Sequence, residues 1–523
     1  VTLTALAIAG GLGVSIVGAP IERIVVIVPD DAFYYLQIAR NLASTGRSTV
    51  DGFSATNGYH PLWMAMMTLL AAVVSDREVL LRAAIGVSLM LHLVASWLIG
   101  VRVAQVAGPA WGRTAGLCWL LSRVALVISL QAMESTLYVV MLLVALGVHM
   151  RLAAMFTVRE FPPRRLLVSY GVSLGLAALA RTEGAIVASA ALAWLGVRLW
   201  RTPAPRASLR DKAAAAILSW GIVAATALLI LLPWPLFSLW QVGTITQDSG
   251  MMKALWGADH FPDAASRMRN IVDTADYFLL GTVRLMWYSL PLPLLVFVPS
   301  ALAAVFAAVQ IYRPRGRAAI AMRAAVVPAM IVGFLYGLSL VDRQIWWMGL
   351  PWLAMFLTAM LGTVWLCRAI PALSRRQHIV RGLMVAVSMI SVIALARKPQ
   401  ALTPYPWQAD VLRSQAAIEQ VVPRDQRIGC FNAGVPLYFG ERGRVVALDG
   451  LVSHDALGYW ADHRLGDYLR DARVTFIADE HASVERAQRF SVAPAAFQLD
   501  EQRTFPLRGW PTGKRVLWSV TRR

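Results

Sequence analysis

Apolar runs of about 20 residues recur along most of the chain, separated by short arginine-rich connections, and this alternation leaves few folds open. A helix of that length spans the hydrocarbon core of a bilayer. A backbone in lipid must satisfy its own polar groups, and a helix does so within one segment. The runs fall near 2–28, 61–75, 79–101, 113–130, 135–151, 166–180, 184–200, 213–235, 277–311, 324–341, 345–367 and 380–396. Composition agrees, with 58% hydrophobic and 15% charged residues, against about 45–50% and about 25% in soluble domains. The sequence predicts a polytopic α-helical membrane protein.

Orientation follows from the arginines. Four clusters connect the runs: Arg151, Arg159, Arg164 and Arg165; Arg198, Arg201, Arg206, Arg210 and Lys212; Arg313, Arg315, Arg317 and Arg323; and Arg368, Arg375, Arg376 and Arg381. The positive-inside rule assigns all four to the cytoplasm. Counting back through the runs puts Glu134 and the region near Asp76 outside. Run 61–75 has about 15 residues, too few for a full span of about 20. It is read as a juxtamembrane helix at the outer surface. The expectation is 11 transmembrane helices, the N-terminus in and the C-terminus out. Pro291, Pro293 and Pro299 predict a kink in run 277–311.

Residues 1–396 are thus expected to form the membrane domain, with outer loops 29–78 and 236–276. Residues 397–523 change character. Strand-like runs Arg427–Phe431, Val445–Leu448, Val474–Ala478 and Val516–Val520 alternate with helical stretches Trp407–Val421 and Val484–Phe490. That pattern predicts an extracytoplasmic α/β domain.

The formal net charge of +19 would suggest nucleic acid in a soluble protein. Here the basic residues sit between spans, so nucleic acid is excluded as a partner. Cys118 and Cys367 lie in apolar runs and Cys430 in the tail, a pattern that suggests neither a disulfide nor a metal knuckle. Residues 1–18 are apolar, without the basic n-region and cleavage site of a signal peptide.

The strongest chemical signal is Asp30-Asp31-Ala32-Phe33-Tyr34-Tyr35, placed directly after an apolar run. Ionisable groups at membrane depth are costly and tend to be functional, and a desolvated carboxylate suits a general base. A plain solvated helix end is the alternative. Downstream lies Thr56-Asn57-Gly58-Tyr59-His60-Pro61-Leu62-Trp63, a polar loop entering an aromatic interface helix.

Together these two stretches resemble the GT-C superfamily of membrane glycosyltransferases, among them polyprenyl-phosphate-dependent arabinofuranosyl- and mannosyltransferases. Gln131-Ala132-Met133-Glu134-Ser135 is similar to that group's Gly-Met-Glu-Ser/Thr turn, with Ala132 for Gly. Arg181-Thr182-Glu183-Gly184 resembles its Arg-Pro-Glu-Gly turn, with Thr182 for Pro. Asp248-Ser249-Gly250-Met251-Met252-Lys253 resembles its Pro-Gln-Ser-Gly-x-x-Lys segment. In the tail, Ile428–Gly434 and Val446–Leu451 resemble the Gly-rich turn and the Asp-x-x-Gly-Leu strand end of the exported domain.

The resemblance implies a GT-C-like fold, a sugar donor on a polyprenyl phosphate, and inversion at the anomeric carbon. It implies that one of Asp30 and Asp31 deprotonates the acceptor; Asp30 is favoured and Asp31 left to orient. The leaving phosphate needs fixed positive charge, for which Lys253, Arg181 and Arg343 are candidates. The alternative for each is a helix anchor at the headgroups.

Glu134 and Glu183 either contact a sugar hydroxyl or pair with Arg181. His60, Tyr59, Asn57 and Asp248 complete the substrate-binding candidates, and Trp346 and Trp347 offer stacking faces or an interfacial belt. His260 is a weaker candidate. No cofactor is expected; a divalent metal on clustered carboxylates is the disfavoured alternative.

The sequence lacks a Gly-rich phosphate loop, a His-Glu-x-x-His helix and a nucleophile elbow. An ATP-driven pump and a zinc protease are therefore not indicated. The rival readings are a lipid-linked-sugar transporter or flippase, and a non-catalytic membrane scaffold. On the favoured reading the partners are a polyprenyl-phosphate-linked sugar, a glycan, lipid or protein acceptor from the cell envelope, and the bilayer of the plasma membrane.

Overall fold

The computed structural model describes residues 10–11, 13–202, 208–277, 317–339, 344–397, 403–489, 497–508 and 513–522. Five helices among them are long and apolar enough to cross a membrane: Arg77–Ala107, Ser135–Thr157, Leu209–Val242, Ile345–Ala369 and Gln377–Arg397. A bent pair, Pro109–Leu120 and Arg123–Leu130, forms a sixth if counted as one span.

In chain order the elements begin with α1 (Ile21–Val25), α2 (Asp30–Thr45) and α3 (Pro61–Val73). Then come α4 (Arg77–Ala107), α5 (Pro109–Leu120), α6 (Arg123–Leu130) and α7 (Ser135–Thr157). Next are α8 (Arg164–Ala180), α9 (Gly184–Arg201), α10 (Leu209–Leu231) and α11 (Pro233–Val242).

The second long loop, 236–276, is largely helical: α12 (Asp248–His260) and α13 (Ala264–Asp276). It escapes the hydropathy pattern because α13 is polar, and its start is set by a capping box between Asp263 and Ser266. Further on lie α14 (Arg317–Ser339), α15 (Gly349–Ala369), α16 (Pro371–Arg375) and α17 (Gln377–Arg397). The kink expected in run 277–311 lies outside the described residues, except for Tyr277.

Run 113–130 is not one straight helix. It breaks at Leu121–Ser122 and turns by 51°. Ser122 explains the restart: its hydroxyl accepts from the Ala125 amide at 3.3 Å and caps α6. The run 61–75 is the 13-residue helix α3, shorter than a span.

The tail holds a five-stranded sheet in the order β2-β1-β3-β5-β4. Strands β1 (Arg427–Cys430), β2 (Val445–Ala447) and β3 (Val474–Asp479) run parallel. Strands β4 (Phe497–Pro506) and β5 (Lys514–Arg522) form an antiparallel hairpin beside β3. Helices α18 (Gln408–Val421), α19 (Gly434–Phe439), α20 (His454–Ala461), α21 (Leu465–Asp471) and α22 (His481–Arg489) accompany the sheet. Ile428, Cys430, Val445 and Val446 are almost fully buried, as parallel strands covered on both faces require.

Helix α2 joins the two parts. One apolar core runs from the membrane helices through Phe33, Leu36 and Ile38 to Ile428, Val435 and Tyr438. The seam is also polar. Arg77 donates to the Phe439 and Gly440 carbonyls at 2.8 and 2.9 Å, and Tyr438 donates to the Arg77 carbonyl at 2.6 Å.

Candidate active site

The ends of α2, α7, α8, α12 and α14 converge on one cavity of about 150 Å³, together with the turn at Trp346–Trp347 and the tail loop Leu451–Val452. Its polar lining includes Asp31, Tyr59, His60, Glu134, Arg181, Glu183 and Lys253. Residues far apart in sequence therefore meet in one place.

The two aspartates divide, and in the opposite sense to the sequence preference for Asp30. Asp31 lines the cavity. Asp30, one position earlier on α2, is turned away by the helical step. Its carboxylate accepts from the backbone amides of Gly434 at 2.9 Å and Val435 at 3.2 Å, at the start of α19. Burial pushes its pKa up to about 6, against the lowering effect of the Gly434 amide.

Tyr34, one turn further along α2, donates to Asp449 Oδ2 at 2.5 Å and accepts from the Ala433 amide at 3.0 Å. Burial raises Asp449 to about 7. A Cβ on Gly434 would lie 2.3 Å from the Asp30 carbonyl, and one on Gly58 would lie 2.1 Å from the Leu451 carbonyl. These glycines allow the tail to close onto the first loop.

Glu134, Arg181 and Glu183 form a buried triad. Arg181 donates through Nε and Nη2 to Glu183, at 2.7 Å for Nη2, and through Nη1 to Glu134. All three are under a tenth exposed. Of the two roles considered for Glu134 and Glu183, pairing with Arg181 is the one seen here. A buried charge must be paired, and this guanidinium is held by protein carboxylates. Glu134 is carried at the end of a turn in which Ala132 adopts φ +53°. An L-residue there costs about 1–2 kcal/mol, which is why Gly would suit the position.

Lys253 differs. It projects from α12 with its ammonium 5.2 Å from the centre of the Trp347 ring. Among the described residues it has no carboxylate partner. Trp347 packs in turn against Tyr336, with ring centres 5.3 Å apart. Trp346 and Trp347 are 5% and 6% exposed, which places them in the wall rather than on an open belt.

Burial, reinforced by Arg181, lowers the His60 pKa to about 3. His60 is thus neutral beside Glu134, 3.7 Å away. His60 Nδ1 and Glu134 Oε2 are buried and have no hydrogen-bond partner among the described residues. Tyr59 is braced by the Ser48 hydroxyl at 2.7 Å.

Asn57 and Asp248 lie behind the cavity wall, with their polar groups turned to each other. The Asp248 amide donates to Asn57 Oδ1 at 2.9 Å, and Asp248 Oδ2 accepts from the Asn57 amide and the Thr56 hydroxyl, both at 3.1 Å. The Asn57 side chain also donates to the Thr246 carbonyl at 2.9 Å. Their neighbours Gly58, Gln247, Ser249 and Gly250 form the wall instead. Arg343 lies outside the described residues. His260 is exposed at the far end of α12. Sequence reasoning missed Tyr34, Tyr336 and the Leu451–Val452 contribution. Among the described residues no three His, Cys, Asp or Glu side chains gather to hold a metal ion.

No protein-family model matches the chain, and no curated protein matches its sequence. Solved structures do. ArnT from Cupriavidus metallidurans bound to undecaprenyl phosphate aligns at TM-score 0.57 and 12% identity, over 99% of this chain and 97% of that one. The apo state of the same protein gives TM-score 0.51 at 11% identity over 93% of each chain. The chain shares its fold with ArnT, a GT-C-like architecture. The archaeal oligosaccharyltransferase AglB from Archaeoglobus fulgidus, in complex with an inhibitory peptide and a dolichol-phosphate, gives TM-score 0.52 at 11% identity, over 99% of this chain and 76% of that one. At such identities the GT-C likeness is one of architecture, membrane helices and tail included.

Proposed function

We propose that the protein is an inverting glycosyltransferase that moves a sugar from a polyprenyl-phosphate donor to a cell-envelope acceptor. The observation that carries this reading is the presence, in one cavity at the helix ends, of a carboxylate (Asp31) and a lysine (Lys253) that has no carboxylate partner among the described residues. The fold shared with ArnT, whose structure holds undecaprenyl phosphate, supports it. So does the shared fold of AglB, whose structure holds dolichol-phosphate.

In the proposed reaction the acceptor hydroxyl attacks the anomeric carbon from the face opposite the phosphate. Its proton passes to Asp31, acting as general base. The bond from the anomeric carbon to the phosphate oxygen breaks, and the phosphate departs with the electron pair. Lys253 stabilises that developing charge, in a site where preorganised donors are most effective. Arg181 adds less, because Glu134 and Glu183 already engage it. Trp346, Trp347 and Tyr336 supply the apolar wall for a sugar face. Glu134 Oε2 and His60 Nδ1, buried in this wall and without hydrogen-bond partners among the described residues, are polar atoms that a bound sugar hydroxyl would satisfy. No metal is invoked.

On this reading the cavity faces the extracytoplasmic side, the arginine clusters lie in the cytoplasm, and residues 397–523 form the exported domain. Arabinofuranose or mannose is the favoured sugar. The test is incubation of the purified protein with a panel of polyprenyl-phosphate sugars and envelope acceptors. Transfer that is lost in Lys253→Ala supports the reading. Movement of the carrier without any glycosidic bond would favour a flippase.

A further inference from the structure

Helix α12 presents two faces to two partners. Ser249, Gly250 and Lys253 line the cavity. Met252 is fully buried within the core of the tail, with Leu255 and Trp256 packed beside it. The Arg486 guanidinium lies 5.7 Å from the centre of the Trp256 ring. The helix carrying the lysine is therefore clamped by the tail rather than by the membrane helices alone.

The clamp has one polar node. Asp248, the first residue of α12, is 0% exposed. Its Oδ2 is taken by Thr56 and Asn57 of the first outer loop, and its Oδ1 accepts from His454 Nδ1 of the tail at 2.8 Å. His454 is itself docked on the first loop through its backbone amide, which donates to the Ala55 carbonyl at 3.0 Å. Two outer loops and the tail thus meet at a single carboxylate.

We propose that His454 is a positioning residue: through Asp248 it fixes the register of α12 and so the place of Lys253 over Trp347. This rests on the reading of the cavity as a lipid-phosphate site. Its effect is on binding of the phosphate, not on proton transfer at Asp31.

The node is also pH-sensitive. The hydrogen bond to Asp248 raises the His454 pKa above its ordinary value. Among the described residues Asp248 from α12 and Asp455 from its own helix are the charged groups facing it, while the first-loop segment 54–56 offers hydroxyl and backbone groups. Below its pKa the histidine is an imidazolium against a buried carboxylate. As pH rises through that pKa, only a neutral hydrogen bond is left, and the hold on α12 weakens.

The experiment uses the full chain in nanodiscs with sugar-free polyprenyl phosphate as probe. Affinity is measured at pH 6 and 8.5, and hydrogen–deuterium exchange is followed across 248–260. His454→Ala is expected to speed exchange in α12 and to weaken binding about tenfold at pH 6, the effect of losing one charge-assisted bond. His454→Asn keeps a neutral donor. It is expected to bind more weakly than wild type at pH 6 and equally at pH 8.5, a comparison that cancels titration of the probe itself. Unchanged exchange in His454→Ala would overturn the proposal, as would faster exchange with unchanged affinity. If wild type fails to bind the probe while α12 still loosens in His454→Ala, the clamp stands and the lipid-phosphate reading falls.

Discussion

Gly434→Ala tests the seam that shapes the cavity. The added methyl carbon would sit 2.3 Å from the Asp30 carbonyl oxygen, 2.6 Å from Oδ1 and 2.7 Å from Cγ. Ordinary contact lies near 3.5 Å, so the turn before α19 and the start of α2 must separate by roughly 1 Å. The two amide bonds to Asp30, now 2.9 and 3.2 Å, would then exceed hydrogen-bond range. Each bond to a charged group is worth about 1.5–3 kcal/mol, so the seam should lose on the order of 3–6 kcal/mol. Thermal unfolding in detergent, with limited proteolysis of the tail, reads this directly. Gly458→Ala is the control: it lies within α20 with nothing within 4 Å of the new methyl, and helix propensity makes that change neutral or slightly stabilising. If Gly434→Ala melts and resists protease like wild type, the described contact between α2 and the tail is wrong.

Three further outcomes follow from the site. Asp30 and Asp449 have pKa values raised to about 6 and about 7 by burial. The docked tail therefore holds protons that a separated one would release. Docking should be strongest below the ordinary aspartate range and weaken as pH rises through 6–7, seen as faster proteolysis at pH 8.5 than at pH 5.5. Asp449→Asn should flatten that profile. Glu183→Gln weakens the hold on Arg181 while Glu134 still neutralises it, and should cost about 1.5–3 kcal/mol of stability, the worth of a hydrogen bond to a charged group; an unaltered melting curve would contradict the triad. Lys253→Ala should reduce turnover by about 10²-fold or more, the usual effect of removing a donor to developing charge, with partial recovery in Lys253→Arg.

Much of this was legible because the signals are local. Strands β1, β2, β3 and β5 carry apolar runs and were expected within a few residues of where they lie. Strand β4 was not, because Gln498, Asp500, Glu501, Gln502 and Arg503 give it the composition of a loop, which an exposed edge strand tolerates. The break at Ser122 carries neither Gly nor Pro and is invisible to hydropathy.

At the site, residue types were readable but directions were not. Asp30 and Asp31 differ by one helical step, and only the packing of α19 against α2 decides which carboxylate is consumed by the seam. In the same way Asp248 reads as a cavity residue until the first loop and His454 are seen to surround it. The tail's share of the wall, Leu451 and Val452, joins residues some 400 positions apart from α2, a pairing that no periodicity encodes.

In the proposed reaction Asp31 is the base and Asp30 a structural anchor. The direct measurement is single-turnover sugar transfer by Asp31→Asn and Asp30→Asn, each compared with its own donor affinity. Asp31→Asn should bind the polyprenyl-phosphate donor like wild type yet transfer at least about 10²-fold more slowly, as loss of a general base predicts. Asp30→Asn should lose stability at the seam while retaining transfer per folded molecule. Full transfer by Asp31→Asn, with loss confined to a correctly folded Asp30→Asn, would contradict the account.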